Sequence, residues 1–192
     1  MIDLATIPLI QANRCHISPP GFIRPITNIV VHVTQSKEYE GAARGVANDF
    51  RVTHRDASSH YTVDDREVIA CVKLNDEAWA APPLNATGIH VELCGFVEQG
   101  VIGWNDAFSV AQLFRAADLI AALLIQQKLP CVYNDWQSLL HKEKGITGHN
   151  EVSRAWHESD HTDPGPTFPW AAFITTIADN VLTARGSLDA PE

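Results

Sequence analysis

His149 and Asp163 stand on one segment of the chain, Gly148-His149-Asn150-Glu151-Val152 running on to His161-Thr162-Asp163-Pro164-Gly165-Pro166, which a proline/glycine turn closes. Neutral imidazole and carboxylate are both ordinary Zn²⁺ ligands, and a catalytic zinc site takes three protein ligands while keeping a fourth position open. The segment thus offers two ligands, and a third must come from elsewhere. His32, in the apolar run Asn28-Ile29-Val30-Val31-His32-Val33-Thr34, is the best candidate. Asp163 has rivals in His157 and His161, and an aspartate before Pro-Gly-Pro also serves as a turn initiator.

Glu92 is the other residue with chemical potential. Side chains alternate between the faces of a strand. In Asn28–Thr34, Val30, His32 and Thr34 share one face and Ile29, Val31 and Val33 the other. In Gly88–Cys94, His90, Glu92 and Cys94 lie together, opposite Ile89, Val91 and Leu93. A glutamate in so apolar a strand is unusual, because a carboxylate is rarely buried without a partner. A salt bridge or a solvated sheet face would account for it. Beside a metal site it reads instead as a general base.

Those strands need a frame. Ser59–Val63 and Val68–Leu74 are further strand-like runs, with Asp64-Asp65-Arg66 as the hairpin turn between them. A helix is expected over Tyr39–Arg51. A long one runs from Asp106 to about Lys128, capped by Asn105 and ended by Pro130. A last helix spans Phe168–Arg185, with Gly186 just past it. Residues 1–25, punctuated by Pro19-Pro20-Gly21 and Pro25, read as irregular. Strands interleaved with helices predict a single α/β domain over residues 1–192, with its core at about 26–185, built on a central mixed β-sheet flanked by helices.

Bulk properties narrow the function classes. The 192 residues suffice to bury a sizeable core, and 45% hydrophobic against 19% charged residues indicates a globular chain. A net charge of −9 argues against nucleic acid as a partner, since phosphate binding needs clustered Lys and Arg. It also argues against simple electrostatic attachment to anionic polymers, so recognition of one would need a shaped groove. The apolar stretch Ala107–Ile125 is interrupted by Gln112, Arg115 and Asp118 and reads as a buried helix, so no membrane partner is expected. Cys15, Cys71, Cys94 and Cys131 are widely spaced and fit small buried hydrophobes in a reducing compartment. The start, Met1-Ile2-Asp3-Leu4, lacks the basic region of a Sec signal, so synthesis in the cytoplasm is expected.

Five fragments in order resemble the type 2 N-acetylmuramoyl-L-alanine amidase family, which shares its fold with peptidoglycan recognition proteins and amidase-type phage lysozymes. They are the strand end Ile29-Val30-Val31-His32, then Ser58-Ser59-His60-Tyr61-Thr62-Val63-Asp64, then Ala78-Trp79-Ala80, then Val91-Glu92-Leu93-Cys94-Gly95. The last is the close, Gly148-His149-Asn150-Glu151-Val152 with His161-Thr162-Asp163-Pro164-Gly165-Pro166-Thr167-Phe168. The resemblance covers about Ile26 to Phe168.

The resemblance implies one Zn²⁺ on His32, His149 and Asp163, with Glu92 as general base. The bond cut would be the amide between the lactyl group of N-acetylmuramic acid and L-alanine of the stem peptide. Zinc would polarise that carbonyl and acidify the attacking water, and Glu92 would pass the proton to the leaving amine. The family often has a lysine two residues before the last ligand to hold the oxyanion. This chain has His161 there, which implies the same role for a protonated imidazole.

Other departures are Trp156 and His157 in place of a frequent Pro-Gly-Arg-Lys segment, and His90 where small residues are common. Trp156 would stack on a sugar or anchor packing, and His60 would face substrate or back up the site. The implied partner is bacterial peptidoglycan or muropeptides, met by a monomer. A phage endolysin reaching the wall after holin-dependent release is the first expectation. A recycling amidase acting on soluble muropeptides is the second, and a non-catalytic peptidoglycan-binding module the third.

Overall fold

The computed structural model describes residues 1–188. Its centre is a five-stranded mixed sheet in the order β4-β3-β6-β2-β7. The strands are β2 (Asn28–Val33), β3 (Tyr61–Val63), β4 (Val68–Ala70), β6 (Gly88–Leu93) and β7 (Gly145–Gly148). β2 runs parallel to β6 and β7, β3 runs parallel to β6, and only β4 is antiparallel to its neighbour. A strand pair buried on both faces reads as nearly continuous apolar sequence, and every residue of β2 is buried. β1 (Cys15–His16) and β5 (Glu77–Ala78) form a separate antiparallel ribbon.

The alternation expected from the sequence sets the layers. Ile29, Val31 and Val33 join Ile89, Val91 and Leu93 in the main core, beneath α3 (Ala107–Gln127) and α6 (Trp170–Leu188). α3 is long and apolar enough to cross a membrane by length and composition. Here Ala116, Leu119, Ile120 and Leu123 are fully buried against the sheet, as expected of a core helix. The opposite face is covered by α1 (Ala42–Val52) over Ile69 and Cys71, and by α4 (Trp136–Leu140) and α5 (His149–Trp156) over Val30. His32 and Glu92 emerge on this second face, between α1 and α5.

Several bounds differ from the sequence expectation, each for a local reason. α1 starts at Ala42 and not Tyr39, because Gly41 adopts φ 83°, a left-handed turn that separates the exposed Tyr39 from the helix. Asp106, not Asn105, caps α3, its carboxylate accepting from the Ser109 N–H at 2.8 Å. Asn105 instead ends α2 (Gly100–Trp104). The final helix begins two residues later, at Trp170, and runs through Gly186 to Leu188. Phe168 stays outside it and packs edge-on against Trp104, with ring centroids 4.8 Å apart.

The strands after Ser59 are shorter than expected. The turn between β3 and β4 is where it was expected: Asp64 Oδ1 accepts from the N–H groups of Arg66 and Glu67, both at 2.8 Å. Residues 1–25 are partly ordered onto the sheet edge, where the Ile10 N–H donates to the Ala70 carbonyl at 2.8 Å. β7 and α5 were not anticipated. β7 is only four residues long and glycine-bounded, and α5 occupies what reads as loop after Gly148.

Candidate active site

Three elements deliver the ligand candidates. His32 is near the end of β2, His149 is the first residue of α5 directly after β7, and Asp163 lies in the loop before α6. All three are buried, at 2%, 2% and 5% exposure. His32 Nδ1 lies 3.2 Å from Asp163 Oδ2, and His149 Nδ1 lies 3.3 Å from Asp163 Oδ1. One ligand atom from each of the three falls within 4.8 Å of the others. Tetrahedral zinc with bonds of about 2.0–2.1 Å has ligand–ligand edges of roughly 3.4 Å. Each imidazole nitrogen lies near that spacing from one of the two Asp163 oxygens, His32 from Oδ2 and His149 from Oδ1, and the donor set of two imidazoles and a carboxylate suits zinc. The residues present therefore fit the metal.

Asp163 is the hub of this group. Its Oδ2 also faces the Val33 N–H at 3.4 Å, and its carbonyl accepts from the Asn150 N–H at 2.8 Å, which ties the loop to the start of α5. Burial by itself would raise its carboxyl. Contacts from His149, His161 and His32 outweigh burial and hold the group well below the usual carboxylate range. Burial lowers His149 to about 4, which keeps the imidazole neutral, the form that ligates metal.

His161 lies beside this trio and differs from it. Its Nδ1 is 3.3 Å from Asp163 Oδ1, and its ring stacks on His149 at 4.1 Å and 17°. Its side chain is 58% exposed, toward the cleft. The contact with Asp163 raises its pKa and favours the imidazolium. His157 is separated from the trio. It terminates α5 in a left-handed conformation and is exposed.

Glu92 sits on β6 in register with His32 on β2 and Thr62 on β3. Its Oε2 is buried and makes no hydrogen bond with protein. Burial pushes the carboxyl up to about 7, with His32 acting in the opposite direction and Asp163 reinforcing the rise. No salt bridge holds it among the described residues, so the bland reading of a paired carboxylate is not what the structure shows. An unpartnered carboxyl poised near neutrality is suited to taking and returning a proton.

These groups open on a cleft of about 860 Å³. Beyond the ligand candidates its walls include Tyr39, Asp49, Arg55, Asp56 and Trp79. Trp156 is not among the lining residues. It packs against the cluster that contains Leu139 and Val152, a contact of the anchoring kind. His60 is fully buried and does not reach the cleft; burial, reinforced by Arg24, lowers it to about 3.

The sequence places His90 on the face of Glu92, at a position where small residues are common. The structure places its Nδ1 3.1 Å from His32 Nε2. Alternation put it on the correct face, but nothing local in the sequence reveals which neighbour it meets.

The fold is shared with the hydrolase AmiA of Staphylococcus aureus (TM-score 0.69, 18% identity, covering 96% of this chain and 87% of that one). It is also shared with AmpD (TM-score 0.63, 20% identity, 92% and 98% covered) and with the catalytic domain of XlyA (TM-score 0.60, 19% identity, 90% and 99% covered). No curated protein sequence matches. A family model described as N-acetylmuramoyl-L-alanine amidase matches residues 23–166. That span includes every residue of the His32, Glu92, His149, His161 and Asp163 group, and the chain belongs to the N-acetylmuramoyl-L-alanine amidase family.

Proposed function

We propose that this protein is a zinc-dependent N-acetylmuramoyl-L-alanine amidase whose catalytic unit spans about residues 26–185. The carrying observation is the convergence of His32, His149 and Asp163, with one ligand atom from each within 4.8 Å of the others, and Glu92 on the same face of the sheet. Zinc held there supplies Lewis-acid polarisation of the scissile carbonyl and lowers the pKa of the attacking water.

The protein's own groups do the rest. Glu92, with a carboxyl near 7, accepts the proton of the attacking water and returns it to the L-alanine amine as the C–N bond breaks. His161 lies at the cleft edge with its pKa raised, so it donates to the oxygen on which negative charge develops.

The substrate is bacterial peptidoglycan, and the physiological setting is lysis of a host by a phage endolysin acting on the wall after its release. Support for that setting comes from a solved structure of the same fold described as a mutant endolysin from Bacillus subtilis. Binding without turnover is disfavoured by the complete ligand trio and the free carboxylate beside it.

The deciding experiment incubates the protein with purified sacculi and with soluble muropeptide, with and without chelator, and resolves the products by mass spectrometry. Release of stem peptides with a free L-alanine amine, abolished by chelator and restored by zinc, is the expected result. Intact lactyl–L-alanine bonds after treatment with zinc-loaded protein would sink the reading. Rapid cleavage of muropeptide with sacculi untouched would replace the endolysin setting by turnover of soluble fragments.

A further inference from the structure

Behind the candidate metal site lies a row of buried histidines that the reaction itself does not use. His32 turns Nδ1 toward Asp163. Ligation through that nitrogen leaves Nε2 to carry the ring proton, and Nε2 faces His90 Nδ1 at 3.1 Å. His90 is fully buried, and the two rings are tilted at 52° with centroids 5.3 Å apart.

His90 is itself held in place. Its backbone N–H donates to His60 Nδ1 at 3.0 Å, and the two rings stack at 5.6 Å and 19°. His60 Nδ1 accepts that bond, and its Nε2 lies 3.1 Å from the Asp76 carbonyl and 2.8 Å from Nη2 of the Arg24 guanidinium. Beyond it the Arg24 guanidinium donates to the Asn85 carbonyl at 2.8 Å and the Leu74 carbonyl at 3.0 Å, closing the far end of the row. Gly88 makes room for the His90 ring, since a Cβ there would stand 3.1 Å from His90 Nε2 and 2.7 Å from the Leu84 carbonyl.

His90 Nε2 is buried without a partner. A side chain present only to fill the core would not keep an unsatisfied nitrogen there, because leucine fills similar space without that cost. The ring's one hydrogen bond among the described residues goes to His32. Metal-ligating histidines are oriented by the group bonded to their second nitrogen, and losing that group costs 10–100-fold in metal affinity or activity.

We propose that His90 is a positioning residue for the metal centre: its Nδ1 accepts the Nε2–H of His32 and so fixes the tautomer and tilt that aim His32 Nδ1 at the ion. The inference rests on the zinc reading above. His90 touches neither substrate nor metal.

The test compares zinc affinity of the wild type, H90N and H90L by competition with a chromophoric chelator, alongside thermal melts of each metal-free protein. H90L is expected to lose about 10–100-fold in zinc affinity. H90N, whose Oδ1 can replace Nδ1 as acceptor, is expected to restore most of it. H90L binding zinc as tightly as the wild type overturns the proposal, as does H90N losing as much as H90L.

A two-bond ¹H–¹⁵N spectrum of the zinc-loaded wild type decides the matter independently of any variant's folding. Protons on Nε2 of both His32 and His90 are expected, and a proton on Nδ1 of His90 overturns the assignment. A wild-type protein that takes up no zinc would overturn the metal reading and this inference with it. Zinc-tight H90L overturns this inference alone.

Discussion

His32 and Glu92 are register partners on the parallel strands β2 and β6. The pairing puts a candidate ligand and a candidate base side by side on one sheet face, at a spacing set by backbone hydrogen bonds. Side-chain positions held by a ladder are rigid, which is what a proton-transfer group beside a metal requires.

Glu92→Gln preserves size and removes the proton acceptor. Turnover of peptidoglycan should fall by about 10²–10⁴-fold while zinc content stays at the wild-type level. Metal analysis and product release on the same sample check both halves. Full activity in a zinc-loaded Gln variant would remove Glu92 from the mechanism.

Asp163 and His161 should separate cleanly. Asp163 is buried between two imidazoles, whereas His161 is mostly exposed and stacked on His149. Asp163→Ala should lose zinc on dialysis. His161→Ala should retain it and lose about 10²-fold in kcat, the usual cost of one oxyanion donor. The opposite pattern would make His161 the third ligand.

The pH profile should be bell-shaped. Glu92 must be ionised to accept a proton, so kcat/KM rises with pH through a limb at or below about 7, the bound cation pulling it down from the value set by burial. His161 must be protonated to donate, and its pKa is raised by Asp163, so activity falls again above that value. His161→Ala should flatten the alkaline limb and leave the acidic one.

Glu92 also has a cost in the metal-free protein. Its folded pKa of about 7 lies above the 4.5 of the free side chain, so the native state binds the proton more tightly than the unfolded chain. Stability is therefore lost as pH rises from about 4.5 through 7. At pH 8, metal-free Glu92→Gln should be more stable than wild type by on the order of 1–3 kcal/mol, with the difference vanishing near pH 4. Denaturant melts at the two pH values read this directly.

Asp64 supports the cleft wall. Its buried carboxylate accepts from the N–H groups of Ala43, Arg66 and Glu67 at 3.0, 2.8 and 2.8 Å, which joins the start of α1 to the β3–β4 turn. Asp64→Ala leaves those donors unsatisfied and should cost about 2–3 kcal/mol, measured by urea unfolding.

The sequence by itself determined which residues share a face. The 2-residue strand period put His32 with Val30, and Glu92 with His90, opposite the residues that now fill the core. The fold class followed from strands alternating with helices, and the order of short motifs pointed to the family. Tertiary structure alone decided which nitrogen of His32 faces Asp163, that His161 stacks on His149 at the cleft edge, and that His90 lies against His32. β7 and α5 escaped notice because elements of four and eight residues carry too little periodicity to stand out. The physical reason is the same throughout: side-chain alternation is local and written in neighbouring residues. The meeting of His32 with Asp163, by contrast, depends on packing that brings together atoms from opposite ends of the chain.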